Sequence, residues 1–143
     1  MSYVKIWVHA VWGTKKKQPF LVGDFKTETL KHIVENAEEK GIEICCVNCW
    51  VDHVHCLIRL GPDQSIAGVI KMVKGEFSRW ANQNKLTKKR FSWAREYYAC
   101  SVSEGNLRKV KHYILNQERH HSKRTFQQEV AAYFEEHATN ASI

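Results

Sequence analysis

Two histidines stand two residues apart in Val51-Asp52-His53-Val54-His55-Cys56-Leu57-Ile58, a run that otherwise reads as a buried strand. Side chains alternate across a strand, so His53 and His55 share one face. Val54, Cys56, Ile58 and Leu60 share the other, which is uniformly apolar. Two imidazoles side by side form half of a metal site; the alternative is a pair of exposed or hydrogen-bonded strand histidines. A third ligand and a nucleophile would decide between them. Lys109, Tyr113 and Gln117 recur at i, i+4 and i+8 in a helical stretch, beside its Leu107/Val110/Ile114 packing stripe. A lone tyrosine there is by default a half-buried packing residue, and a lone glutamine a solvated one. Both readings change if this helix covers the face that bears the histidines. Neutral imidazoles and an amide oxygen would then suit Mg²⁺ or Mn²⁺. Such an ion polarises a scissile phosphate, which a nearby tyrosinate could attack, leaving a covalent phosphotyrosine and a free 3′-hydroxyl.

The sequence predicts the elements that would position these groups. Tyr3–Trp12 reads as a first strand, with Val4, Ile6, Val8, Ala10 and Trp12 on its apolar face and Lys5, Trp7 and His9 opposite. Asp24–Lys40 is a helix closed by Gly41. Ile42–Val51 and His53–Leu60 are two strands joined by a tight turn or bulge near Val51-Asp52. Ser65 caps a second helix running to about Asn84, striped by Ile66, Val69, Ile70, Val73, Phe77 and Trp80. Phe91–Val102 is a fourth strand. Ser101 or Ser103 caps a third helix over about 104–121, Thr125–Glu136 is a short amphipathic helix, and Thr139–Ile143 is frayed. The order β-α-β-β-α-β with an antiparallel sheet is the ferredoxin-like α+β topology, here with an additional C-terminal helix that would carry the catalytic tyrosine. No repeat or linker divides the chain, so 1–143 is expected to form a single domain. The first two helices can cover one sheet face, which leaves the third for the histidine face.

The 143 residues carry a net charge of +7, with 43% hydrophobic and 26% charged residues, ordinary values for a globular domain. No apolar run approaches the roughly 18 residues of a membrane span and no signal-peptide core opens the chain, so the expectation is a soluble cytoplasmic protein without a membrane partner. The basic residues cluster: Lys15-Lys16-Lys17, then Lys85, Lys88, Lys89, Arg90 and Arg95, then Arg108, Lys109 and Lys111, then Arg119, Lys123 and Arg124. Trp12, Phe20, Trp80, Phe91, Trp93, Tyr97 and Tyr98 lie among or beside them. Cations tracking a backbone, with rings for unpaired bases, compose a single-strand nucleic-acid binder. Lys15, Lys16, Lys17, Lys74, Lys88, Lys89, Arg90 and Lys109 are the candidate DNA contacts. Five cysteines without a secretory signal read as free thiols. Cys46-Val47-Asn48-Cys49 has zinc-ligand spacing, but on a strand its two cysteines point to opposite faces, and buried thiols are the better reading.

His53-Val54-His55 and the Tyr113-Ile114-Leu115-Asn116-Gln117 helix together resemble the small single-tyrosine HUH transposases of the IS200-like insertion sequences and their relatives associated with repetitive extragenic elements. Val11-Trp12-Gly13-Thr14-Lys15, Val73-Lys74-Gly75-Glu76-Phe77-Ser78 and Asn116-Gln117-Glu118-Arg119-His120-His121 look similar too, so the likeness spans about residues 3 to 130. It implies a metal-dependent single-stranded DNA transposase of a mobile element. Tyr113 would be the nucleophile, forming a 5′-phosphotyrosine, and His53, His55 and Gln117 would hold Mg²⁺ or Mn²⁺. Its substrates would be single-stranded, hairpin-bearing element ends. The resemblance also implies a homodimer, associated with the nucleoid when acting: the insertion-sequence members usually work as dimers, often with each tyrosine serving the partner's histidines, whereas the repeat-associated members include monomers. Val51 departs from it, since many relatives carry proline before the aspartate, and the cysteine-rich second strand is no mark of the family.

Two other functions fit the same residues: a HUH nickase that processes repeat or replication-origin DNA, and a catalytically silent basic nucleic-acid-binding domain. A zinc deaminase is disfavoured, because no H-x-E is followed by P-C-x-x-C. Asp52 could orient a histidine as readily as form the turn. His9 reads as a surface histidine, His112 diverges from Tyr113 by roughly 100° around the helix, and His120-His121 suit a helix C-terminus or a phosphate contact. Tyr97 and Tyr98 lack a companion amide.

Overall fold

A computed structural model describes residues 2–117 and residue 128. Within them β1 (Ile6–Thr14), α1 (Gly23–Glu39), β2 (Glu43–Cys49), β3 (His53–Leu60), α2 (Ile66–Gln83), β4 (Trp93–Val102) and α3 (Leu107–Leu115) follow one another, with 3-10 turns at Lys15–Lys17 and Glu104–Asn106. The sheet order is β2-β3-β1-β4, every pairing antiparallel. This is the expected ferredoxin-like α+β arrangement. The predicted Thr125–Glu136 helix, His120-His121 and the Thr139–Ile143 tail lie outside the described residues, apart from Gln128.

Strand alternation divides the core in two. Val8, Ala10 and Trp12 of β1, Cys49 of β2 and Val54, Cys56, Ile58 and Leu60 of β3 pack beneath α1 and α2, which contribute Ile33, Ala37, Val69, Ile70, Val73, Phe77 and Ala81. Leu57 and Val102 pack with Val110 and Ile114 of α3 on the opposite face. β3 is central and buried on both faces except at Arg59. Its two apolar sets therefore fix its register, because a one-residue slip would exchange them.

Local signals set the element ends. Ser65 Oγ accepts from the Gly68 N–H at 3.0 Å and caps α2, as its sequence predicts. Gly41 takes φ +71° after α1, and the Ile42 N–H returns to the Ala37 carbonyl, which closes the helix in the left-handed manner that glycine favours. Three expectations are corrected. β1 runs through Gly13 and Thr14 instead of stopping at Trp12, because Gly13 pairs with His53 and the Thr14 N–H bonds the Asp52 carbonyl. β2 contains a bulge at Cys45, between the Ile44–Ile58 and Cys46–Leu57 pairs. The third helix does not run unbroken from 104: the Glu104–Asn106 turn precedes it, Ser103 stands before that turn without a side-chain cap, and α3 ends at Leu115 with Asn116 in a turn before Gln117 is helical again, while 118–121 lie outside the described residues.

Phe77 sits at the centre of the larger core, 5.2 Å from both Phe91 and Trp93 and 6.0 Å from Phe25 between ring centroids. Phe77→Ala is expected to cost about 3–5 kcal/mol of unfolding free energy, and Ser65→Ala about 1 kcal/mol, in urea melts followed by tryptophan fluorescence. Equal losses would contradict this placement of the core.

Candidate active site

His53 and His55 enter from β3 on the α3 side, their ring centroids 5.0 Å apart. They are 0% and 1% exposed, so the exposed-histidine alternative is corrected. His53 Nδ1 lies 2.7 Å from Asp52 Oδ1. A carboxylate oxygen can only accept, so a neutral His53 holds its proton on Nδ1 and its lone pair on Nε2. Asp52 is itself fixed, its carbonyl accepting from the Thr14 N–H at 2.8 Å while the Trp50 N–H closes the turn onto the His53 carbonyl.

His55 meets a residue that the sequence reading set aside. His9 is 0% exposed rather than a surface histidine, and its Nε2 stands 2.9 Å from His55 Nδ1. In the β1–β3 register Val11 lies opposite His55 and His9 opposite Leu57, so the two rings are diagonal neighbours, within reach of long side chains. The sequence held the signal, since His9 was already on the strand face away from the apolar core. What it could not supply was the register.

Tyr113 lies half-buried in α3, its ring 5.7 Å from His55 and 6.0 Å from His9, both edge to face. Gln117 is wholly buried, against the solvated default, and its amide nitrogen donates to the Tyr113 carbonyl at 3.2 Å. With the nitrogen donating there, Oε1 is the amide atom whose chemistry suits a cation. Gln117 reaches this place beyond a helix stop and not along the unbroken helix expected. Both imidazoles thus have their Nδ1 atoms engaged by neighbours, so Nε2 is the ring nitrogen of each that could ligate a cation. Two such nitrogens and an amide oxygen fit a cation that accepts mixed N/O ligands. Among the described residues no group of three or more His, Cys, Asp and Glu side chains is gathered for a metal; the Gln117 amide is the oxygen donor the described chain offers beside the two imidazoles.

Asn48 was also missed. It sits opposite His55 on β2, donates from Nδ2 to the carbonyls of Ile114 and Leu115 at 3.1 and 3.2 Å, and accepts the Cys49 N–H at 2.9 Å. It ties the last carbonyls of α3 to the sheet, one turn before Gln117. A polar residue in the apolar run that follows Glu43 was the available clue.

The basic candidates divide by position. Lys15, Lys16 and Arg90 line one cleft with Gln18, Phe20 and Ser92, and Lys88 and Lys89 line a second that shares Gln18 and Phe20. Two clusters distant in sequence therefore converge where β1 ends beside Asp52, joined by the Lys15 N–H to the Ser92 carbonyl. Lys16 and Lys17 hold left-handed backbone, φ 56° and 55°. Lys109 is exposed on α3. Lys74 instead bonds the Ala94 and Arg95 carbonyls and ties α2 to β4 on the far side of the sheet, where burial lowers its pKa. Cys46 and Cys49 belong to opposite core clusters, as strand alternation predicts, and burial pushes both thiols up to about 11.

Residues 2–117 match the family model described as Transposase IS200 like. The chain is 30% identical over 115 residues to the ISDra2 transposase TnpA of Deinococcus radiodurans, covering 76% of this chain and 81% of that one. It is 24% identical over 114 residues to the transposase for insertion sequence element IS200 of Salmonella typhimurium, covering 76% and 74%. Among solved structures, a putative transposase from Deinococcus radiodurans superposes with a TM-score of 0.66 at 26% identity, over 82% of this chain and 95% of that one. A REP-associated tyrosine transposase bound to a REP hairpin shares the fold, with a TM-score of 0.54 at 18% identity, over 80% and 66%.

Asn48→Ala is expected to cost about 1–3 kcal/mol in urea unfolding, because it removes both α3 carbonyl contacts and the acceptor for Cys49. Asn48→Asp keeps that acceptor but loses the donor and should also destabilise. A neutral Asn48→Asp would show that the helix end does not depend on this side chain.

Proposed function

The chain belongs to the IS200-like transposase family, and from that premise we propose that it cleaves and rejoins single-stranded DNA through Tyr113. One observation carries the reading: within a single chain, Tyr113 lies against His55 on the sheet face that presents His53 and His55, with Gln117 buried one turn further on and bonded to the Tyr113 carbonyl. Tyr113 Oη attacks the phosphorus of a phosphodiester. The phenol gives up its proton as the new P–O bond forms, and the departing 3′ oxygen takes one up. The products are a 5′-phosphotyrosine and a free 3′-hydroxyl. The covalent link conserves the ester, so attack by another 3′-hydroxyl restores a phosphodiester and releases Tyr113 without a nucleotide cofactor. Mg²⁺ or Mn²⁺ held by His53, His55 and Gln117 would polarise the scissile phosphate and offset its developing charge.

The chain's own residues supply the remaining requirements. Asp52 holds the His53 ring through Nδ1. His9, His55 and Tyr113 form one group of edge-to-face and tilted rings, which fixes the direction from which the phenol approaches. Lys15, Lys16, Arg90, Lys88 and Lys89 offer cations at the sheet end beside Asp52, where a strand leaving the site would pass. Phe20, which lines both clefts, adds a ring for an unpaired base. The substrate class is single-stranded DNA with a hairpin, as at the ends of a mobile element. The reading uses Tyr113 within its own chain, including when two chains assemble as a homodimer.

Incubation with a panel of labelled single-stranded hairpin oligonucleotides and Mn²⁺ should give an adduct that survives a denaturing gel. Tyr113→Phe, or a chelator, should abolish it. Binding across the panel without any adduct would instead identify a silent DNA-binding domain, and an adduct that never yields a joined strand would identify a nickase. Mixing Tyr113→Phe with His55→Ala should restore nothing, and a restored adduct would move the tyrosine to the partner's site. Asp52→Asn should weaken Mn²⁺ binding by about 10–100-fold in calorimetry; an unchanged affinity would remove Asp52 from the site.

A further inference from the structure

The two histidines of β3 are held by different neighbours. His53 Nδ1 has a carboxylate beside it at 2.7 Å, whereas His55 Nδ1 has the Nε2 of another imidazole at 2.9 Å. A carboxylate fixes a tautomer because it can only accept, but an imidazole nitrogen can donate or accept. One proton lies between His9 Nε2 and His55 Nδ1, and its side matters. If His9 donates, a neutral His55 has its single N–H proton on Nε2 and that atom cannot ligate. If His55 donates, its Nε2 presents a lone pair. His9 is wholly buried, on the face lined by Leu57, Val102, Val110 and Ile114, and its ring stands edge to face against Tyr113. Its position is therefore over-determined by strand register, ring packing and one short contact.

We infer that His9 is a positioning residue for the reaction site: its Nε2 accepts from His55 Nδ1–H, which sets the tautomer and ring angle of His55 so that Nε2 can bind a divalent cation. His9 thus does for His55 what Asp52 does for His53, without adding a second carboxylate beside an incoming phosphate. It also explains why a polar ring is buried on β1, where the strand pattern alone would suit an apolar side chain. The inference rests on the metal-binding part of the proposed function. It extends that reading to a strand that contributes neither a ligand nor the nucleophile.

Two variants separate positioning from packing. His9→Gln keeps an acceptor at similar reach, and His9→Leu fills comparable space without one. Mn²⁺ binding to the full chain, followed by electron paramagnetic resonance without DNA, should weaken about 10–100-fold in His9→Leu and stay near the wild-type value in His9→Gln. On the metal-free wild-type protein, nitrogen-15 NMR of the rings should show His55 protonated at Nδ1 and not at Nε2. That measurement needs no variant to fold. A wild-type His55 protonated at Nε2 overturns the inference, as does a His9→Leu protein that binds Mn²⁺ like the wild type. Equal losses in both variants, with equal losses of melting temperature, also overturn it in favour of a packing role. If the wild-type chain itself binds no Mn²⁺, the metal reading of the proposed function falls, and this inference falls with it.

Discussion

The site depends on the alternation of side chains along β3. Val54, Cys56, Ile58 and Leu60 are anchored among the residues of α1 and α2, and that anchoring obliges His53, His55 and Leu57 to point the other way. A slip of one residue would bury two imidazoles among aliphatic and aromatic side chains and turn four apolar ones away from them. The larger core thereby acts on the site without touching it. It sets which face is chemical, and α3 completes the enclosure from that side.

Burying three imidazoles and an amide is costly unless each is hydrogen-bonded. The structure meets this with short, local partners drawn from separate strands: Asp52 at the turn before β3, His9 on β1 and the Tyr113 carbonyl on α3. Asn48 extends the arrangement to β2 by holding the end of α3. Such a network holds its members more firmly than pairwise contacts suggest, and its unpaired fragments would be worse than an apolar replacement. Directional contacts therefore orient the chemical groups, while the apolar cluster of Leu57, Val102, Val110 and Ile114 fixes the distance between helix and sheet.

Much of this could be read from the residues alone. The strand order, the two-sided core, the Ser65 cap and the facing of His53 and His55 followed from periods of two and 3.6 and from turn chemistry. The convergence of Tyr113 on the histidines followed from counting which sheet face remained uncovered. The misses have a common origin. His9, Asn48 and the joining of Lys15–Lys16 with Arg90 depend on pairing register between segments far apart in sequence, which no local pattern encodes. The Cys45 bulge changes the parity of β2 halfway along, so a strict alternation starting from Ile42 would assign Asn48 to the wrong face. The stop at Asn116 was hidden because the apolar and polar spacing across it remains helical; the Asn116 side chain bonds back to the His112 carbonyl, an interaction that competes with continuing the helix.

The brevity of α3 gives the site a particular thermodynamic character. At nine residues it is shorter than the roughly 12–15 residues that an isolated helix needs to be even marginally populated in water. It is helical because it is docked, through Val110, Ile114 and the two Asn48 contacts. His53 and His55 belong to the most buried strand of the sheet, and Tyr113 to an element that melts if it undocks. Local opening of α3 would leave the sheet and the larger core intact. Attachment of the tyrosine and secondary structure of its helix are consequently one equilibrium, and whatever stabilises the docked helix raises the fraction of molecules in which Tyr113 meets the imidazoles.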